Sequence, residues 1–203
     1  MKEINNLCIK NEYFGEAEHA QLTQEMKYKA LTLLMFMVTK RNGEINTHGC
    51  ANGSYQRMHT DKHECSSPTP DFYTFKNICA IIAKESRDVA TIDLPGFFLQ
   101  TKMEGEERIL LKLTGAVELL LFESNPTRWK KHLARENCKW ILCVICDKTT
   151  HGTMNATLLS HKKLAQILKR WKMVMKPHDP CVWNTMIGEK QLTLMHHADD
   201  LII

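Results

Sequence analysis

The sequence predicts an α+β fold, because helical and strand patterns follow one another without the strict alternation that a parallel α/β sheet requires. Apolar side chains recur at helical spacing in three long segments, which are predicted to be helices: 22–40, 71–86 and 155–172. Shorter alternating or apolar segments bounded by turn residues predict strands: 88–94, 108–113, 140–147, 181–186 and 191–197.

The first half of the chain is predicted to hold two helices and one strand. The first helix should stop at Asn42-Gly43, a pair that commonly ends a helix. The stretch 42–70 is rich in Gly, Asn, Ser, His and Thr, so we expect a long loop or an irregular hairpin there. Ser67 or Asp71 is available to cap the second helix, and Pro95-Gly96 ends the strand that follows it.

The second half of the chain is predicted to be richer in strands. Segment 140–147, WILCVICD, is apolar almost throughout, which is typical of a buried strand. Segment 155–172 is an amphipathic helix. The segments CVWNTM and QLTLMHH flank Ile187-Gly188-Glu189-Lys190, and this arrangement predicts a β-hairpin.

The composition is that of an ordinary globular protein: the 203 residues are 43% hydrophobic and 25% charged, enough for one core or two small subdomains. No run approaches the roughly 18 apolar residues of a membrane span, and the N-terminal MKEINNLCIKNEYF lacks the apolar region of a secretory signal. We therefore expect an intracellular protein, cytoplasmic or nuclear, with no membrane partner. The eight cysteines are scattered along the chain, so we expect reduced thiols.

The net charge of +4 hides an uneven distribution of charge. Between Pro126 and His178 there are twelve Lys or Arg residues against only Glu136 and Asp147. That region is near +10 and the remainder is near −6. A basic region of this kind suits a polyanionic partner such as nucleic acid, although a solvated lysine-rich helix face explains it equally simply.

Aspartates stand at the ends of two predicted strands. Asp93 closes the segment VATID, and the pair Asp199-Asp200 follows the hairpin strand within the last ten residues, LMHHADDLII. Carboxylates that project together from adjacent strands repel one another unless a cation lies between them, and Mg²⁺ is commonly held by one or two carboxylates plus substrate phosphates. This pattern is typical of two-metal nucleotidyl transfer, although most aspartate pairs are simply turn residues.

Five segments follow one another in a recognisable order: CANGSYQRMHTDKHECSSPT, DVATIDLPGFFLQ, NPTRWKKHL, CDKTTHGTMNA and KPHDPCVWNTMIGEKQLTLMHHADDL. Together they resemble the reverse transcriptase domain of copia-type retrotransposons. The family has related segments in its fingers, around its first catalytic aspartate, and in the Pro-Tyr-Asp-Pro-Cys stretch that leads to its Val-Asp-Asp. The resemblance extends from about Thr23 to the last residue.

The resemblance implies a right-hand polymerase fold with an antiparallel palm sheet packed on helices. Residues 1–22 would be an N-terminal extension, 23–87 a fingers-like region, and 88–203 a palm-like region with the catalytic aspartates. The aspartate pair would occupy a hairpin turn, and the chain would end before the thumb. On that ground we expect the isolated chain to bind primer-template weakly and to extend it barely or not at all.

The resemblance also implies residue roles. Asp93 and Asp199 would be direct ligands of two Mg²⁺ or Mn²⁺ ions per site, with Asp200 as a weaker third carboxylate. The substrates would be an RNA or DNA template-primer and dNTPs. Nucleotide contacts would come from Phe98, which would exclude a 2′-hydroxyl, and from Phe97, Gln56, Arg57, Lys148, Gly152 and Asn155. The nucleic-acid backbone would follow the basic residues Lys162, Lys163, Lys169 and Arg170.

This chain departs from the family pattern at several positions. Phe97 stands where the family usually has Ala, Ala198 replaces Val, and the segment 149–151 reads Thr-Thr-His instead of Ala-Leu-Tyr. These differences, together with the expected loss of the thumb, indicate a copy with impaired polymerase activity.

Two alternatives remain open at the level of sequence. A domesticated nucleic-acid-binding protein would keep the basic region without catalysis. A small zinc-binding module could use the His and Cys residues of the segment 48–65, although the cysteine pair of a zinc finger is absent. The residues of that module would be His48, Cys50, His59, His63 and Cys65.

Overall fold

The fold is α+β, as the sequence predicts. In a computed structural model of the chain, the described residues are 13–58, 60–61, 65–105 and 108–203, with only the backbone described at Asn46. The helices are α1 (Gln24–Lys29), α2 (Phe72–Glu85), α3 (Ala116–Ser124), α4 (Pro126–Trp129) and α5 (Ala156–Arg170). Short 3₁₀ turns cover His19–Gln21, Gln56–Met58, Phe98–Gln100 and Lys130–His132.

The strands belong to two sheets, one of six strands and one of five. They are β1 (Phe14–Glu16), β2 (Leu31–Thr39), β3 (Ile45–Ala51), β4 (Thr91–Asp93), β5 (Ile109–Thr114), β6 (Leu133–Glu136), β7 (Lys139–Cys146), β8 (Val174–Met175), β9 (Val182–Ile187), β10 (Lys190–His197) and β11 (Asp200–Ile202). No helix among the described residues is long and apolar enough to cross a membrane.

The chain divides into two compact units, each built from two segments. Unit 1 comprises 1–64 and 98–156, and unit 2 comprises 65–97 and 157–203. The functional division expected at residue 88 therefore differs from the division into compact units, and it stays a prediction.

Unit 1 is built on the six-stranded sheet. Its order is β1-β7-β5-β2-β3, and β6 pairs with β7 on the same side as β1. The pairs are antiparallel except β2 with β5, which is parallel. The apolar segment 140–147 forms the interior strand β7, which has neighbours on both sides and in which Ile141, Leu142 and Val144 are buried. The predicted buried strand is confirmed.

The helix predicted over 22–40 is wrong in its second half. The helix α1 begins at Gln24 and ends at Lys29. Its N-cap is Thr23, whose hydroxyl accepts a hydrogen bond from the Met26 amide at 3.1 Å. The following nine residues form β2, which pairs with β3 and so makes part of the predicted loop a hairpin. Leu31 and Leu33 are buried, which is the two-residue period of a strand. The apolar run fits both periods over a short stretch, and pairing with distant strands decides between them.

Unit 2 is built on the five-stranded sheet, with the order β4-β11-β10-β9-β8 and antiparallel pairing throughout. The predicted hairpin is confirmed as β9 and β10, which are joined at Gly188 and Glu189. Gly188 has a φ of 60°, a conformation that glycine adopts without a steric penalty. The helix predicted over 71–86 is also confirmed as α2. Asp71 is its N-cap, since its carboxylate accepts a hydrogen bond from the Thr74 amide at 3.0 Å.

Helix α5 contributes its apolar face to the core of unit 2. Its buried residues Leu164 and Leu168 lie on the same face, since they are four positions apart. The sheet contributes the fully buried Trp183 and the buried Leu194, which are directly opposite one another in β9 and β10. The helix predicted over 155–172 is therefore confirmed, and so is its amphipathic character.

Candidate functional site

The three candidate catalytic aspartates lie together at one end of the sheet in unit 2. Asp93 is the last residue of β4, and its register partner in β11 is Asp200. Directly opposite residues of antiparallel strands project on the same face, with Cβ atoms about 4.5–5.5 Å apart. Asp199 occupies the turn between β10 and β11, and its carbonyl oxygen accepts a hydrogen bond from the Leu94 amide at 2.9 Å. The backbone thus brings the two predicted aspartate positions together, although they are about a hundred residues apart.

The turn that carries Asp199 holds its preceding residue in an unfavourable conformation. Ala198 has a φ of 50°, in the left-handed region where a Cβ atom is strained. His197 and Asp200 are register partners on either side, so Ala198 and Asp199 form a two-residue turn. Strained backbone of this kind is held in place by the surrounding pairing, and it often occurs at functional sites.

The electrostatic surroundings of these aspartates leave room for a cation. Asp93 and Asp200 are exposed and Asp199 is half-buried. Among the described residues no Lys, Arg or His forms an ion pair with any of the three. Side chains with hard oxygen atoms and no counter-charge match the preference of Mg²⁺ and Mn²⁺.

Most of the predicted nucleotide-binding residues lie in unit 1. Gln56 and Gly152 lie in neighbouring segments there: the Gln56 side-chain oxygen accepts a hydrogen bond from the Met154 amide at 3.0 Å. Gly152 has a φ of 88°, and a Cβ atom at this position would be 2.0 Å from the Ala51 carbonyl oxygen. The close approach therefore requires glycine. Asn155 has a buried Oδ1 with no hydrogen-bond partner among the described residues.

The remaining predicted nucleotide contacts are divided between the units. Phe98 belongs to unit 1, where its ring packs edge to face on the His151 ring with centroids 4.5 Å apart. Lys148, also in unit 1, is half-buried and forms an isolated strand bridge with Lys102. Arg57 is exposed in unit 1, whereas Phe97 is buried in unit 2.

The four predicted backbone-binding residues share one face of α5. They are all exposed, in contrast to Leu164 and Leu168, and none forms an ion pair with the described residues. They are Lys162, Lys163, Lys169 and Arg170. Lys169 lies seven positions after Lys162, and Arg170 lies seven positions after Lys163, so the members of each pair are about two helical turns apart. The result is an unneutralised basic strip about 10 Å long, estimated from the rise of 1.5 Å per residue.

A cluster that sequence reasoning missed lies elsewhere in unit 2. One potential ligand atom from each of His161, Cys181 and His196 lies within 4.8 Å of the other two. The zinc module considered from the sequence used other residues, of which His59 and His63 lie outside the described residues. Cys181 and His196 could have been paired from sequence by counting outward from the hairpin turn, whereas no local signal joins His161 to them.

Comparison with known proteins leaves the family open. No protein-family model matches the chain, and no curated protein sequence matches it significantly.

Proposed function

We propose that the chain carries fingers and palm portions of a copia-type reverse transcriptase, whose reaction is two-metal nucleotidyl transfer to a primer on an RNA or DNA template. The observation that carries this proposal is the register of β4 and β11, which sets Asp93 opposite Asp200 and beside the turn that holds Asp199. Three carboxylates without a counter-charge at one sheet end are what such a reaction needs.

Each aspartate has a distinct role in the proposed reaction. Asp93 and Asp199 hold the ions directly, and Asp200 supplies a third carboxylate on the same edge. When bound, the ions supply charge that lowers the pKa of the attacking primer hydroxyl and stabilises the leaving pyrophosphate. The protein's own contribution is positioning, since the pairing of β4, β11 and β10 holds the carboxylates on a sheet and not on a free loop.

Metal-dependent nucleotide binding gives the sharpest test of this proposal. We would measure Mn²⁺ binding by electron paramagnetic resonance, with and without dNTP, for the wild-type chain, Asp93→Asn and Asp199→Asn. Each variant is expected to lose most of the dNTP-dependent Mn²⁺ binding, because a neutral amide is a much weaker ligand for a hard cation. The matched control is Asp88→Asn, an exposed aspartate that precedes β4.

Unchanged Mn²⁺ binding in Asp93→Asn would remove the catalytic interpretation. Single-nucleotide addition to a primed RNA template provides a second readout, with Asp199→Asn as the blank. Addition above that blank would establish polymerase activity and show that Phe97 and Ala198 are tolerated in the active enzyme.

A second candidate function is nucleic-acid binding without catalysis. The observation that favours it is the exposed basic strip on α5, which requires none of the aspartates. If this function is correct, Asp93→Asn should bind nucleic acid as tightly as the wild-type chain does. Neither the wild-type chain nor any variant should then add a nucleotide to a primer.

A further inference from the structure

The arrangement of β9, β10 and α5 forms the His161, Cys181 and His196 cluster within unit 2. The Cys181 carbonyl accepts a hydrogen bond from the His196 amide at 3.0 Å, one position beyond the last register pair of β9 and β10. Opposed residues share a face of the sheet, so the thiol and the imidazole project to the same side. His161 precedes Leu164 by three positions and Leu168 by seven, which places it on the core-facing side of α5.

The cluster holds two imidazole rings, one buried (His196) and one half-buried (His161), and each has one buried ring nitrogen without a hydrogen-bond partner among the described residues. Their centroids are 5.1 Å apart, and neither His161 Nδ1 nor His196 Nε2 has a partner among the described residues. His196 is only 2% exposed. Buried polar atoms in native proteins are nearly always paired, so two unpaired ring nitrogens in one cluster call for a ligand. An imidazole nitrogen of this kind, with no hydrogen-bond partner, is the atom through which histidine coordinates a metal.

A buried negative charge lies next to the cluster. Asp179 is 3% exposed, and its carboxylate accepts hydrogen bonds from the Cys181 and Asp71 amides, both at 2.9 Å. No cationic side chain among the described residues forms an ion pair with it. A buried carboxylate without a cation is costly, and a divalent ion held by Cys181 would supply the missing positive charge.

We propose that His161, Cys181 and His196 bind a zinc-type divalent ion. A tetrahedral zinc ion with bonds of about 2.0–2.3 Å holds its ligand atoms about 3.3–3.6 Å apart, so atoms already within 4.8 Å need to move by only about 1 Å. A nitrogen-and-sulfur ligand set favours zinc over magnesium. This ion is separate from the Mg²⁺ or Mn²⁺ of the proposed polymerase reaction, and the inference does not depend on that reaction.

A fourth ligand can reach the ion from a cavity in unit 2. The cavity has a volume of about 160 Å³, and both His161 and His196 line it together with Thr157 and His197. It therefore has room for a water molecule. Three protein ligands with a water in the fourth position are a common zinc coordination pattern.

A metal-free catalytic role for the thiol is disfavoured by its surroundings. Cys181 is fully buried and does not line the neighbouring cavity. A catalytic nucleophile has to be reached by its substrate, whereas a zinc ligand needs no such access. The cluster thus suits a metal better than it suits a Cys-His dyad.

Cobalt substitution tests the metal site in the full 203-residue chain. We expect one Zn²⁺ per chain and, with Co²⁺ as a spectroscopic probe, the near-ultraviolet charge-transfer band of a cobalt–thiolate bond. Cys181→Ser should abolish this band. His161→Gln and His196→Gln should each weaken Co²⁺ binding by at least about tenfold, the loss that follows removal even of an outer-shell partner.

Two control variants separate this site from other thiol sites. Cys138→Ser removes an exposed thiol, and Cys50→Ser removes one of the two thiols of the zinc module considered from the sequence. Both should keep the band. Loss of the band in Cys50→Ser but not in Cys181→Ser, or a chain that takes up no Zn²⁺ or Co²⁺, would overturn the proposal. If Cys181→Ser fails to fold, His161→Gln decides, because its side chain is only half-buried: unchanged Co²⁺ affinity would overturn the proposal.

Discussion

At the scale of single residues, a left-handed backbone conformation lies next to a candidate catalytic carboxylate. Ala198 is one of five non-glycine residues with positive φ among the described residues, and it directly precedes Asp199. Its conformation is imposed by the pairing of His197 with Asp200, which leaves only two residues for the turn. Glycine is the residue most compatible with this backbone conformation, because it has no Cβ atom.

We expect Ala198→Gly to stabilise the chain by about 0.5–1 kcal/mol, because relief of the left-handed strain exceeds the added entropy of the unfolded chain. Urea unfolding would measure the change. The matched control is Ala83→Gly in α2, where the same substitution should destabilise by about 1 kcal/mol. Destabilisation at both positions would show that the turn carries no such strain.

At the scale of secondary-structure elements, an ionic contact joins two strands on opposite sides of β7. Lys112 of β5 donates a hydrogen bond to the Glu136 carboxylate of β6, and His19 lies 3.4 Å from the same carboxylate. The hydrogen bond from Lys112 is the main cause that lowers the pKa of Glu136. The carboxylate is partly exposed, so its contribution to stability is about 1 kcal/mol or less.

Glu136→Gln should therefore destabilise the chain by up to about 1 kcal/mol at pH 7. The Glu136 pKa is lower in the folded state than in the unfolded state. The stabilisation is therefore present above the unfolded value of about 4.3 and is lost as pH falls through the folded value. Urea unfolding of wild type and variant between pH 7 and pH 3.5 should show the difference shrink at the acidic end. Glu123→Gln, at an exposed position of α3, is the control; a pH-independent difference for Glu136→Gln would contradict the ionic explanation.

At the scale of the whole molecule, the charge distribution predicts how the chain meets a polyanion. The excess of basic residues between 126 and 178 includes the exposed strip on α5, which no acidic side chain among the described residues neutralises by an ion pair. If those side chains contact phosphates, binding must weaken steeply with salt, because each contact releases condensed counterions.

The double variant Lys162→Glu/Lys163→Glu should reduce the slope of log K against log salt by about 1.4–1.8, the share of two phosphate contacts. Fluorescence anisotropy with a labelled primer-template over a range of NaCl concentrations would measure this slope. The matched control is Lys40→Glu/Arg41→Glu, another exposed neighbouring pair outside the basic region. Equal slopes for wild type and the Lys162/Lys163 variant would reassign α5 to a merely solvated face.

Local signals in the sequence determined the helices α2 and α5 and the hairpin of β9 and β10. The apolar spacing, the Asp71 cap and the Gly188-Glu189 turn each act over a few residues, so neighbouring residues alone settle the outcome. The hairpin turn also sets the register, and with it the opposition of Cys181 and His196.

Only the tertiary structure decided the features that depend on residues far apart in the chain. Pairing with β3 and β5 made a strand of 31–39, which the helical period had assigned to a helix. The register of β4 with β11 set Asp93 opposite Asp200, and packing of α5 on the sheet brought His161 to Cys181 and His196. In each case the local sequence does not select one arrangement of the segment over another. Burial against a distant partner supplies the free energy that selects one of them.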